Sequence, residues 1–431
     1  MKIVFLNVKS SRRECINKDF MSGYGWAFNA GNSMRARLIN FVKKQGESLP
    51  LMSFGYMSAL FQTYGHEVEY LTNKVPNSDI AFISSSMVDY RNEIEWAKKV
   101  KAAGVKVYFI GVFASFKSEL FLPYCNAVIK GEPEEICARI ADGYQPEGLV
   151  ESNPISDPDS LVFPNWDIFP HKKFSYLPVL KEKPFFPILS SRGCVYSCEY
   201  CPYPVFYKYQ NRSVKNVIGE IEYLVEKYNM RGMLFRDPLF SGNKKRAKQI
   251  AENIIEKNLK IKWACETRLD CVNEDLLDTF YEAGCRVINV GIESSDTQIL
   301  DNVNRKLINP DCQKKMVDYA HKLGIRITAF YVLGLEGETI QTINKTIEYS
   351  KWLDTFVAQF FINTPFPGTL DYERNKDNLI ESDWEKFDCY TPVVNNRNIT
   401  PQQLLNLKEK AFVSYYYRPK YVWKFVNRFF S

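Results

Sequence analysis

Three cysteines fall within eight residues, Cys194-Val-Tyr-Ser-Cys198-Glu-Tyr-Cys201, with three and then two residues between them. Ser191-Arg192-Gly193 precedes them and Pro202-Tyr203-Pro204 follows. Thiolates so close on one loop can turn inward around an iron–sulfur cluster, which soft sulfur ligands suit. A four-iron cube takes four ligands and only three are local, so one iron is left to bind and activate a small molecule. Buried thiols or a structural zinc site are the competing readings. Zinc ribbons, however, pair two Cys-x-x-Cys hooks, and the sequence has no second hook.

The loop resembles the defining segment of the radical S-adenosylmethionine superfamily, CxxxCxΦC, with Tyr200 as the aromatic Φ. The resemblance implies a 4Fe–4S cluster on Cys194, Cys198 and Cys201, with S-adenosylmethionine chelated at the open iron and Tyr200 against its adenine.

The elements around this loop alternate. Before it the pattern reads strand 2–8, an unusual polar and aromatic segment over 9–50, helix 52–62, strand 67–71, strand 80–84, helix 91–103, strand 107–110, a short helix near 115–122, strand 127–129 and helix 132–141. Such alternation gives a parallel sheet covered on both faces, with ligands at the carboxyl ends of its strands. Those ends are Ser84-Ser85-Ser86-Met87, Gly111-Val112 and Gly131-Glu132; small residues there let a bulky ligand approach the backbone, or simply make tight turns. The order of the pieces, with Leu49-Pro50 leading to Gly65-His66-Glu67-Val68, is similar to the cobalamin-binding domain that precedes the radical domain in one class of the superfamily. The resemblance implies cobalamin at these eight residues. Two departures stand out: the Asp-x-His-x-x-Gly motif is absent, so none of His66, His171 and His321 falls where a cobalt ligand would, and the usual Gly-Gly reads Gly111-Val112.

A proline-rich stretch over 146–185 reads as a linker packed by Trp166. Beyond it, strands near 186–190, 232–236, 262–267, 287–292, 326–332 and 358–363 alternate with helices. Six units fit an open (β/α)6 partial barrel, with polar strand ends as the expected site. Those ends carry Asp237, Glu266 and Arg268, Glu293 and Ser294, and Leu335 in a Gly-Leu-Glu-Gly turn. A guanidinium pairs bidentately with a carboxylate, and a strand-end acid suits an amine or ribose hydroxyls. By resemblance, Arg268 takes the carboxylate of S-adenosylmethionine, Asp237 its amino group, Glu293 and Ser294 its ribose, and the Leu335 backbone its adenine.

The expected organisation is a doubly wound α/β domain over 1–145, the linker, the partial barrel over 186–395 and a helical extension over 396–431. At 431 residues, 45% hydrophobic and 25% charged, the chain has the composition of a soluble multidomain protein. A net charge of +6 without basic runs argues against nucleic acid. No leader and no membrane-length apolar run is evident, and reduced cytoplasm suits the 11 cysteines and an oxygen-labile cluster. In the last residues, Val422, Phe425, Val426, Phe429 and Phe430 share one helical face opposite Lys420, Lys424 and Arg428; the face packs on the barrel or touches an anionic membrane weakly, which would favour a lipid-like substrate. The resemblance implies C-methylation of an unactivated carbon of a small-molecule or lipid-like substrate, through a 5′-deoxyadenosyl radical and methylcobalamin, with an external one-electron donor of flavodoxin or ferredoxin type and no side-chain nucleophile. The rivals are a non-methylating rearrangement, cyclisation or oxidation, and a non-catalytic cobalamin or iron–sulfur sensor.

Overall fold

The computed structural model describes residues 1–12, 14–44, 47–306 and 308–423. Two six-stranded parallel sheets organise them. In the first, β1 (Lys2–Asn7) lies between β2 (Glu67–Thr72) and β3 (Ile80–Ser84), and β4 (Lys106–Ile110), β5 (Ala127–Lys130) and β6 (Gly148–Glu151) continue outward. Ile3 pairs with Val68 on one side and Ile80 on the other. The central strands are buried apolar runs, as expected of strands covered on both faces. Five longer helices accompany this half: α1 (Met34–Lys44), α2 (Met52–Thr63), α3 (Tyr90–Ala102), α4 (Val112–Phe116) and α5 (Glu134–Ala141).

Two features depart from the expectation. β6 pairs in register with β5, so the first sheet runs past residue 145 into the stretch read as linker. Four largely exposed residues between Pro146 and Ser152 carry too little pattern to announce a strand. Residues 9–50 also hold ordered structure: strands Cys15–Asn17 and Trp26–Phe28 pair antiparallel, and α1 follows. Trp166 is buried against Phe169, Phe174 and Phe186, so the linker is packed.

The second sheet runs in chain order: β7 (Phe185–Ile188), β8 (Gly232–Phe235), β9 (Lys262–Thr267), β10 (Cys285–Glu293), β11 (Arg326–Leu333) and β12 (Val357–Ile362). Sequential parallel order with a helix at each crossover gives the open barrel. Its helices start where short polar side chains satisfy the first backbone N–H groups: Ser213 for α6 (Val214–Tyr228), Asn243 for α7 (Lys244–Glu256), Asn273 for α8 (Glu274–Glu282) and Asn309 for α9 (Pro310–Leu323). Thr339 and Thr400 make capping boxes for α10 (Ile340–Leu353) and α11 (Pro401–Tyr416). α11 packs on β12 through Phe412 and Tyr415. Of the final apolar face only Val422 belongs to the described residues; Phe425, Val426, Phe429, Phe430 and Lys424 and Arg428 lie outside them. No helix among the described residues is long and apolar enough to cross a membrane.

Candidate active site

Parallel strands deliver all their carboxyl ends to one edge, and the two sheets turn these edges toward each other. Ser84, Gly111, Val112 and Gly131 from the first line one cavity with Leu189, Ser191, Arg192 and Gly193 of the cluster loop. A second cavity, of about 190 Å³, lies over the barrel strands. Tyr203 and Pro238 line both, so the cavities share a wall.

The barrel cavity gathers Cys194, Cys198, Cys201 and Tyr200 with Glu266, Arg268 and Glu293. Burial pushes the Cys194 and Cys201 thiols up. Among the described residues no three His, Cys, Asp or Glu side chains converge on a point that would hold a single ion. The thiol set and the guanidinium groups beside it fit an anionic iron–sulfur cluster.

Glu293 ends β10 at φ 66°, just after a register shift between Gly291 and Glu293. A non-glycine residue in that region costs on the order of 1 kcal/mol. The turn brings its carboxylate to 3.3 Å from Arg305 Nη2; burial raises its pKa, and Arg305 opposes that. Arg305 donates to the Gly291 carbonyl at 2.5 Å and lies 3.8 Å from Cys198 Sγ. It is a site residue that sequence reasoning missed, because a lone arginine after a short helix carries no signal for a contact 107 positions away.

Arg268 reaches the cavity with its fork already engaged: Nε and Nη2 donate to the two oxygens of Asp270 at 2.9 and 2.8 Å, and the group lies 4.4 Å over the Tyr196 ring. Glu266 pairs with Arg236 at 2.6 Å, and Arg236 also holds Asp19. Phe20, Met21 and Trp26 of the early segment complete the wall.

Three expected residues do not reach this cavity. Asp237 is buried, and its oxygens accept from Ser190 N at 2.7 Å, Ser190 Oγ at 2.5 Å and Ser191 Oγ at 2.6 Å. With both oxygens so occupied it braces the start of the cluster loop. Ser294 Oγ accepts from Asp296 N and meets Thr346. Leu335 is buried, its N–H donating to Glu338.

The strand-end cavity divides its candidates similarly. Ser84, Gly111, Val112 and Gly131 line it. Ser85, Ser86, Met87 and Glu132 are buried outside it: Ser85 Oγ accepts from Ala114 N, and Ser86 binds Glu93. Glu132 and Glu134 clamp Arg192, Glu134 at 2.5 Å. Burial opposes the arginine's charge, but Glu134 and Glu132 outweigh it and raise its pKa. Among the described residues, the buried Tyr56 Oη and Glu134 Oε2 find no hydrogen-bond partner, on residues that line this cavity. Orphaned acceptors of this kind fit a ligand bearing amide N–H groups, as cobalamin's ring does. The enclosed volume, about 100 Å³, is below the ~300 Å³ of ordinary ligand sites, so so large a ring fits only by using the open space beside it as well.

Residues 188–350 match the family described as the radical SAM superfamily. A protein of Pyrococcus horikoshii named as an uncharacterized methyltransferase is 30% identical over 366 residues, covering 79% of this chain and 78% of its own. The anaerobic magnesium-protoporphyrin IX monomethyl ester cyclase of Rubrivivax gelatinosus is 25% identical over 329 residues, 68% of this chain and 58% of the cyclase. Among solved structures, the radical S-adenosylmethionine methyltransferase TsrM of Kitasatospora setae, with cobalamin and a [4Fe–4S] cluster bound, superposes with a TM-score of 0.62 at 15% identity, over 87% of this chain and 78% of TsrM. That likeness is one of fold.

Proposed function

Because the chain belongs to the radical S-adenosylmethionine superfamily, in the class with an N-terminal cobalamin-binding-type domain, we propose that it is a cobalamin-dependent C-methyltransferase acting on an unactivated carbon. The observation that carries this reading is the shared wall: a three-cysteine cavity and a strand-end cavity meet at Tyr203 and Pro238, which suits two cofactors working on one substrate.

When bound, the 4Fe–4S cluster with S-adenosylmethionine supplies a route to radical abstraction of hydrogen, and cobalamin a methyl group. The chain's own residues bind, orient and exclude water. Cys194, Cys198 and Cys201 would hold the cluster, and Asp237 braces Ser190 and Ser191 ahead of it. Glu266, Glu293, Arg268 and Arg305 present both signs of charge, which suits a zwitterionic sulfonium ligand. Tyr200, partly buried beside Glu293, would meet the adenine. Ser84, Gly111, Val112, Gly131, Tyr56 and Glu134 would face the ring. The apolar part of the barrel cavity, with Trp26, Phe330, Phe361 and Phe366, suits a small-molecule or lipid-like substrate. An external donor of flavodoxin or ferredoxin type provides the electron. The likeness to the cyclase favours one second reading, a radical reaction without methylation.

The test is anaerobic reconstitution with iron, sulfide and cobalamin, followed by dithionite and S-adenosylmethionine. The proposal expects both 5′-deoxyadenosine and S-adenosylhomocysteine. Deoxyadenosine alone selects the non-methylating reading; neither product overturns both.

A further inference from the structure

Helix α1 turns most of its large apolar side chains outward. Met34, Leu38, Phe41 and Val42, at the spacing of one helical face, are 88, 55, 62 and 47% exposed. Ala36 is buried instead, and Asn40 turns inward to Asn29 and the Gly31 carbonyl. A soluble helix ordinarily buries its large apolar side chains and shows water its polar ones. α1 instead leaves both most of its large apolar side chains and Arg35, Arg37 and Lys44 exposed, and packs against α11 and against Trp26 through Lys43, 5.2 Å above the ring.

The exposed face does not stand alone. Trp423 is 68% exposed, and Val422 joins Leu38, Val42 and Tyr417 along an apolar groove of about 250 Å³ between α1 and residues 416–422. Every ionisable side chain of α1 is basic: Arg35, Arg37, Lys43 and Lys44. Lys420, two residues before Val422, is exposed and pairs with Asp354 at 3.1 Å. A contiguous apolar patch of this kind marks an interaction surface.

We propose that this face docks the protein on an anionic lipid bilayer. The charge selects the occupant. A second copy seated across a two-fold axis would bring like-charged arginines and lysines together, whereas anionic headgroups meet them with opposite charge. Apolar side chains on an amphipathic helix enter the boundary of the acyl region by ~5–10 Å, and an exposed tryptophan favours that interface. The groove lies at the start of β12 and the barrel cavity at its end: Val357 and Gln359 line the groove while Phe361 and Ile362 line the cavity, so docking leaves the shared wall of the two cavities untouched. The inference is independent of which radical reaction the protein performs.

Flotation of the full chain with phosphatidylcholine vesicles, with or without about 30% phosphatidylglycerol, tests it. The expected result is binding to the anionic vesicles and release at about 0.5 M NaCl. Leu38→Ser with Phe41→Ser, and separately Arg37→Glu with Lys44→Glu, should each weaken partitioning about tenfold or more. These side chains are exposed, so the thermal melts should match the parent's. Failure of the parent chain to float, or undiminished flotation of the Leu38→Ser, Phe41→Ser variant, overturns the proposal. So does a dimer in sedimentation velocity that Phe41→Ser dissociates and that ignores vesicles.

Discussion

The two cavities that meet at Tyr203 and Pro238 are built in opposite ways. The barrel cavity brings charged groups to its surface and holds them by strain and pairing: Met21, Glu293 and Cys389, all lining it, are among the few non-glycine residues at positive φ. The strand-end cavity presents small residues and spends its charge on itself, with Arg192 locked between Glu132 and Glu134. The first is preorganised for a charged ligand whose atoms must sit in fixed places. The second is shaped for a broad ligand gripped by backbone and amides, and its ion triad ties the first sheet to the cluster loop. If this contrast is right, damage to the two sites should separate.

The largest effect is expected from the loop itself. Cys198→Ala should reduce deoxyadenosine formation to background, while the purified variant still retains cobalamin; turnover by the variant would break the assignment of the barrel cavity. Next comes the clamp. Glu132→Gln with Glu134→Gln leaves the Arg192 charge buried without a counterion, a change that costs about 3–5 kcal/mol where one side of a buried pair is removed. The denaturation midpoint should fall accordingly, and cobalamin retention should fall before cluster content does. Equal loss of both cofactors would erase the distinction between the cavities.

Arg305→Lys sharpens the first cavity further. It keeps the charge beside Cys198 and Glu293 but loses the fork that also reaches the Gly291 carbonyl. Supporting groups of this kind are worth about 10–100-fold, so deoxyadenosine formation should drop by that factor with cluster content unchanged. An unaltered rate would reduce Arg305 to a structural ion.

How much of this was legible in the sequence depends on how local each signal is. The cysteine loop and the period-2 and period-3.6 alternation are local, and both sheets appear where the pattern put them, β6 excepted. Contacts made across the fold are not local. Arg268 pairs with its near neighbour Asp270, Asp237 turns to Ser190 and Ser191, and Arg305 arrives from a loop that reads as polar filler. The segment holding Phe20, Met21 and Trp26 lies far from the barrel in sequence, yet it walls the barrel cavity. A strand-end position indicates which edge a residue occupies but not which way its side chain turns.

A control, read on stability alone, lies in the turn after β11. Glu338 accepts from the Gly334 and Leu335 N–H groups at 2.5 and 3.2 Å, and burial pushes its carboxyl up to about 8 from the ordinary 4.5. The folded protein thus holds this proton more tightly than the unfolded chain does. The associated stability is complete below about pH 4.5 and is lost as pH rises through about 8, with a slope of at most about 1.4 kcal/mol per pH unit. Relative to Glu338→Gln, the parent's denaturation midpoint should fall between pH 5 and 8; parallel profiles would contradict this. Neither cavity should respond.

The central claim is that the polypeptide leaves one iron of the cluster for S-adenosylmethionine. Electron paramagnetic resonance of the dithionite-reduced, reconstituted protein tests it most directly, with S-adenosylmethionine labelled with ¹⁵N at its amino group and ¹⁷O at its carboxylate. The account predicts a changed cluster signal and hyperfine coupling to both labels. An unchanged signal without coupling, from a cluster of full occupancy, would contradict it.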